Sequence, residues 1–164
     1  MTSLRRTLTG LLAAAAILAT AQVVHSSPEG FISAKTPHDF KTLVERTEAA
    51  VKANGMFVVT RASASKGAAG RGLTIPGNMV LGVYRNDFAV RMLEASLAAG
   101  IEAPIRFYVT ENSDGSASLA YRAPSAVFAP YEDGGEALAA LAGELDGLFA
   151  AIAAEASGTA PVAP

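Results

Sequence analysis

The chain has 164 residues, 51% of them hydrophobic, with 13 basic and 15 acidic side chains and a formal net charge of −2. That length suits one domain with a substantial core, and the balanced charge makes no global case for nucleic-acid binding. The absence of Cys excludes disulfides, thiolate metal centres, iron–sulfur clusters and Cys nucleophiles.

The N-terminus reads as a secretory signal peptide. Arg5 and Arg6 precede an uncharged apolar stretch, Leu8–Ala19, and the small-x-small pattern Ala19-Thr20-Ala21 follows it. Twelve residues span roughly 18 Å as a helix, short of the roughly 20 residues that cross a bilayer. A permanent membrane anchor is therefore the weaker reading. Cleavage is expected after Ala21, with an alternative near Ser26, and the location is periplasmic or secreted. Removing residues 1–21 leaves 11 basic and 15 acidic residues, net −4. All 11 basic residues lie between Lys35 and Arg122, whereas Glu132–Glu155 holds six acidic residues and no basic one. That leaves a mildly basic body and an acidic C-terminal segment, a solvated helix face or a surface for a partner.

The single domain is expected over residues 28–156. Phe31–Lys35 is a short strand. Thr36-Pro37-His38-Asp39 opens a helix, with Thr36 as N-cap and Pro37 at the first helical position. Phe40, Leu43, Val44, Thr47 and Val51 form its inner face. Lys41/Glu45 and Glu48/Lys52 are i,i+4 pairs, and Asn54-Gly55 ends the helix. Met56–Arg61 is a strand. Ser63–Gly72 is a Gly-rich, basic loop or short helix, and Pro76-Gly77 fits a type II turn. The unbroken apolar run Met79–Tyr84 fits a strand covered on both faces or at the sheet centre. Asn86 or Asp87 caps a helix over Phe88–Ala99 with Ala89, Met92, Leu93 and Leu97 inward.

Ile105–Glu111 and Ala117–Arg122 both alternate, and Asn112-Ser113-Asp114-Gly115 joins them as a β-hairpin. Pro124–Gly135 reads as irregular. Glu136–Glu155 is the strongest helix, with a stripe from Leu138 to Ile152. Residues 157–164 read as a disordered tail. The order β-α-β-(short α)-β-α-β-β-α is that of an α+β fold: a small mixed or antiparallel sheet with helices mainly on one face.

The chain is poor in catalytic groups. It has two His. His25 lies beside the cleavage region, and His38 is a surface residue at a helix start or, in the alternative reading, a base. There is no G-x-S-x-G elbow and no H-E-x-x-H. Met56, Met79 and Met92 fall within apolar runs and read as core rather than as metal ligands. Lys66–Gly72 is Gly-rich and cationic but matches neither nucleotide-binding fingerprint. Arg85, Arg106 and Arg122 carry more promise. If their strands are neighbours, the guanidiniums share one sheet face with Tyr84 and Tyr108. Such a cluster suits a carboxylate or phosphate, ion pairs to the acidic helix, or a dimer interface. Arg85, Asn86, Arg106, Tyr121 and Arg122 are the candidate ligand-binding residues. No catalytic residue, metal ligand or cofactor is assigned.

From Gly72 to Pro124 the sequence resembles the bacterial domain-of-unknown-function family 302. The resemblance rests on Gly72-Leu73, the strand Val80–Tyr84, Asn86-Asp87 where the family has Asn-Pro, and Ala103-Pro104 where it has Leu-Pro. It continues through Phe107, Val109 and Glu111, Asp114-Gly115, and Tyr121-Arg122-Ala123-Pro124. With the flanking helices it covers about residues 31–155. Many members have an Asp-His pair after the second strand, where this chain has Arg61-Ala62-Ser63-Ala64. The resemblance implies a small dimeric α+β fold with no established activity. The expected function is that of an exported, non-catalytic homodimer that binds a small anionic ligand or a protein partner, without nucleic acid. The alternative is a hydrolase-like envelope enzyme that uses His38 or the arginines.

Overall fold

A computed structural model describes residues 28–159. The signal-peptide expectation for residues 1–21, and His25 with it, lie outside the described residues, as do residues 160–164 of the tail.

Five strands form, β4 and β5 from clear alternation of apolar and polar residues and β3 from an apolar run: β1 (Phe31–Thr36), β2 (Phe57–Ala62), β3 (Asn78–Tyr84), β4 (Ile105–Glu111) and β5 (Ala117–Arg122). They form one antiparallel sheet in the order β1-β5-β4-β3-β2. The hairpin β4–β5 closes as expected, with Gly115 at φ 81° in its turn. Leu81, Val83, Ile105, Phe107, Val109, Leu119 and Tyr121 face the helices and are buried. Residues at the intervening positions form a second face that no helix covers. The sheet centre expected of β3 belongs to β4; β3 is an interior strand, between β4 and the edge strand β2. Cover on both faces does not hold either, because the helices gather on one side.

Helix α1 (Phe40–Ala53) begins three residues later than Thr36 predicts. Asp39 is the N-cap, its carboxylate accepting from the Thr42 N–H and hydroxyl, both at 2.9 Å. These hydrogen bonds hold the Asp39 carboxyl below its ordinary pKa. The Thr36 hydroxyl is instead buried in β1, donating to the Ala117 carbonyl at 2.9 Å. A β-strand position that needs a side-chain donor outcompeted the cap. Glu48 does not pair with Lys52. It accepts from Arg61 of β2 at 2.6 Å.

Helix α2 (Ala64–Ala69) is the short helix among the two expected alternatives, capped by Ser63. Gly77 is not in the left-handed region that a type II turn requires. It is glycine for space: a Cβ there would lie 2.7 Å from the Phe40 ring. Helix α3 (Asn86–Ala95) is shorter than expected, and neither Asn86 nor Asp87 caps it. Ser96 ends it and a 3-10 turn follows at Ala98–Glu102. Pro124–Gly135, read as irregular, contains helix α4 (Pro124–Phe128) and a second 3-10 turn.

Helix α5 (Gly135–Ser157) lies along α1 and the sheet. By length and composition it could span a membrane. Here it is the core helix, burying Leu138, Leu141, Leu145, Phe149 and Ile152. Its Phe149 ring stacks on Phe107 at 4.6 Å between centroids, with Tyr121 tilted against both. Ser157, placed in the tail by the sequence, is buried and belongs to the helix. Arg46 of α1 closes the end, donating to the carbonyls of Ala156 and Glu155 at 2.6 and 2.8 Å. A cation suits a helix C-terminus.

Gly143 and Gly147 lie on the exposed side of α5, and a Cβ at either meets open space. Glycine in a helix interior costs about 0.5–1 kcal/mol relative to alanine. Gly143→Ala and Gly147→Ala are therefore each expected to raise stability by about that amount, read as a higher urea midpoint at unchanged slope.

Candidate functional site: two arginines at the end of an uncovered sheet

Strand register sets what shares the uncovered face. Phe31 pairs with Arg122, Phe107 with Tyr121, and Gly82 with Arg106. One position beyond Phe107–Tyr121, Arg106 and Arg122 stand opposite each other. They form a row running Phe31, Arg122, Arg106, Gly82 across four strands. The next row is Ser33, Ala120, Tyr108, Val80. Strand order, with β1 inserted beside β5, is what brings Phe31 to the arginines.

The row borders a hollow of about 170 Å³ lined by Phe31, Glu102, Arg106, Tyr108, Arg122 and Val127, among others. Tyr108 and Phe31 are about 40% exposed there. The guanidinium of Arg122 donates to the backbone carbonyls of Glu29 and Ala126, at 3.3 and 3.0 Å. Those acceptors fix its orientation and leave its charge uncancelled. Arg106 makes no ion pair among the described residues. The one carboxylate in the hollow, Glu102, accepts from the Tyr131 hydroxyl at 2.7 Å. That hydrogen bond pushes the Tyr131 pKa up.

Only one acidic residue lies on any strand, Glu111, which occupies a helix-side register position and accepts from the Gly77 N–H at 2.7 Å. The uncovered face thus carries Lys35, Arg106 and Arg122 and no carboxylate of its own. Lys35 is paired with Asp114 of the hairpin turn, and the ammonium holds that carboxyl far below the usual range. The positive field is concentrated at the Arg106–Arg122 end.

Of the five residues expected to bind ligand, only Arg106 and Arg122 come together on this face. Arg85 does not join them. Its guanidinium makes two hydrogen bonds to Asp87, at 2.7 and 3.0 Å, and lies 4.1 Å from the Phe88 ring centroid. The Arg85 hydrogen bonds lower the Asp87 pKa. Asn86 accepts from the Tyr84 hydroxyl at 3.3 Å. Behind Arg85 an apolar cavity lined by Met56, Phe88, Met92 and Leu145 holds only about 30 Å³, space on the scale of one water. Tyr121 lines the hollow, but its ring is 4% exposed and belongs to the aromatic core. Burial first, and Asp146 second, raise its hydroxyl pKa.

His38 is not in the first turn of α1. It precedes the cap, its carbonyl accepts from the Ala117 N–H at 2.8 Å, and its Nε2 is buried without a hydrogen-bond partner near Gly158. A general base needs to reach a substrate proton, and this nitrogen faces the end of α5. Met56 and Met92 are core residues, 3% and 4% exposed. Among the described residues no group of three His, Asp or Glu forms a metal set. Tyr108 stands beside the arginines as expected, whereas Phe31 was missed as a lining residue. Tyr108 had a signal in its outward alternation; Phe31 had none until β1 was placed beside β5.

A family model described as "Domain of unknown function DUF302" matches residues 32–154. The chain belongs to the DUF302 family. A solved structure of an uncharacterized conserved DUF302 protein from Bacillus stearothermophilus superimposes with a TM-score of 0.69 at 20% identity. The match covers 77% of this chain and 98% of the other, and at that identity it speaks to the fold alone. No curated protein matches the chain. The DUF302 domain thus has the α+β architecture expected, with a fully antiparallel sheet and five helices.

Proposed function

We propose that this DUF302 protein is an exported, non-catalytic binding module that acts as a homodimer and takes a small aromatic carboxylate at the Arg106–Arg122 hollow. The observation that carries the ligand reading is the pairing of two guanidiniums at one register position on a face without acidic strand residues. Arginine forks match a carboxylate with two parallel hydrogen bonds. Tyr108 and Phe31 beside them offer ring faces and edges to an aromatic group. The Arg122 backbone contacts orient one fork in advance, which reduces the ordering cost of binding. The N-terminal pattern of charge, apolar stretch and small residues supports export.

Isothermal titration with benzoate and phthalate tests the ligand reading. Binding is expected, with Arg106→Ala weakening it at least about tenfold, the loss of one charge-assisted pair. Arg85→Ala is expected to leave affinity unchanged. Absence of binding to both carboxylates, or equal affinity in Arg106→Ala, removes the proposal.

A further inference from the structure

The Arg106–Arg122 hollow also holds a charge of the opposite sign. Glu102 ends the 3-10 turn Ala98–Glu102 and lines the same hollow as the two arginines. Its position is fixed by the protein. The Tyr131 hydroxyl, on the segment after α4, donates to Glu102 Oε1 at 2.7 Å, and the other carboxylate oxygen accepts no hydrogen bond among the described residues. Neither Arg106 nor Arg122 forms an ion pair with Glu102 among the described residues. Two guanidiniums and one carboxylate therefore line one hollow of about 170 Å³ without neutralising one another.

A ligand with a carboxylate alone does not suit all three groups. It satisfies the guanidinium forks but brings a second negative charge into a hollow that already holds one, and like charges set side by side oppose binding. A ligand that also carries an ammonium replaces that repulsion with a charge-assisted hydrogen bond to Glu102. The walls add a third requirement. Phe31 and Tyr108 are 40% and 41% exposed, and Val127 of α4 lines the hollow with them. Together they offer ring and methyl contacts to an aromatic group. Both signs of charge are held before any ligand arrives: Arg122 by the carbonyls of Glu29 and Ala126, Glu102 by Tyr131. Such preorganisation lowers the ordering cost of binding. A carboxylate, an ammonium and an aromatic ring on one small molecule describe an aromatic α-amino acid.

We infer that the hollow selects the zwitterion of an aromatic α-amino acid, with Arg106 and Arg122 taking its carboxylate and Glu102 its ammonium. This rests on the Arg106–Arg122 reading above and names the ligand class for that site. Glu102 is then the specificity residue: it attracts the amine-bearing ligand and works against the simple carboxylate.

Isothermal titration at neutral pH with phenylalanine and with phenylpropanoate, its deaminated analogue, tests it, since the two differ only in the amine. Phenylalanine is expected to bind the wild type at least about tenfold more tightly, the scale of one hydrogen bond between charged groups. Glu102→Gln should remove that preference: phenylalanine weakens at least about tenfold, and phenylpropanoate does not weaken. The glutamine amide oxygen still accepts from the Tyr131 hydroxyl, so circular dichroism and the thermal midpoint should stay at wild-type values. A Glu102 that serves only to hold the turn would leave the preference intact in this variant. Phenylpropanoate and benzoate that bind the wild type as tightly as phenylalanine overturn the zwitterion inference while the carboxylate reading stands. A preference for phenylalanine that survives in Glu102→Gln overturns it as well, because the ammonium then sits elsewhere. Absence of binding to all three ligands overturns both. The comparison in the wild type decides the first and last of these outcomes without any variant.

Discussion

Phe149→Ala is expected to cost about 3–5 kcal/mol, the range for removing a buried phenyl ring. Phe149 is fully buried, and its ring stacks on the equally buried Phe107 with an interplanar angle of 14°. The ring is the link between α5 and the two central hairpin strands, so its loss separates helix and sheet at the middle of the core. Against a total stability of about 5–15 kcal/mol for a typical domain, that is a large fraction. The check is urea unfolding by circular dichroism. The midpoint should fall steeply while the slope stays near wild type, as for a change in stability rather than in the surface exposed. Tyr121→Phe, in the same cluster, separates two roles for that tyrosine. As a core ring whose hydroxyl finds no partner among the described residues, it should tolerate the change to within about 1 kcal/mol. Affinity for benzoate should also stay the same. A Tyr121→Phe variant with normal stability and lost binding would return Tyr121 to the ligand site.

Local pattern made most elements legible, and tertiary pairing decided what it left open. The β4–β5 hairpin was readable because alternation and Asp114-Gly115 agree. The α5 helix was readable because its stripe runs from Leu138 to Ile152. The outer side of α3 shows the limit of periodicity. Leu93 and Leu97 were expected inward on their spacing, but Leu93 is exposed and Leu97 lies beyond the end of α3 at Ala95, exposed as well. Phe88 and Met92 face the core. The start of α1 shows competition between two local rules. Thr36 and Asp39 are both good caps, and the sheet took the threonine hydroxyl for Ala117. The candidate site was half legible. Alternation put Arg106 and Arg122 on the outer face of the hairpin, and register confirms that they are opposite. Arg85 follows β3 by only one residue, yet the chain turns into α3 there and Asp87 takes the guanidinium. No local signal announces that β1, first in the chain, pairs with β5.

Gly82→Ala is the second substitution expected to act strongly, and it acts on sheet and site together. Gly82 lies in β3 opposite Thr60 of β2 and Arg106 of β4. A Cβ there would collide with Thr60 Oγ1 and lie 2.7 Å from Pro104 Cγ. Its backbone is ordinary strand, so the requirement is for space and not for a left-handed conformation. Neither neighbour is a long, flexible chain end. Pro104 is a ring that leads directly into β4, and Thr60 follows the bulge that sets the β2 register. Accommodating one methyl therefore means moving strand ends, and overpacking of this kind costs about 1–3 kcal/mol. The displacement falls beside Arg106, so benzoate affinity should drop even at temperatures where the variant is fully folded. Thr60→Ser/Gly82→Ala would leave the collision in place, because serine keeps an Oγ. Thr60→Ala/Gly82→Ala removes the nearer obstacle and should recover part of the stability. Full wild-type stability and binding in Gly82→Ala alone would mean that β3 has more room over Arg106 than this packing allows.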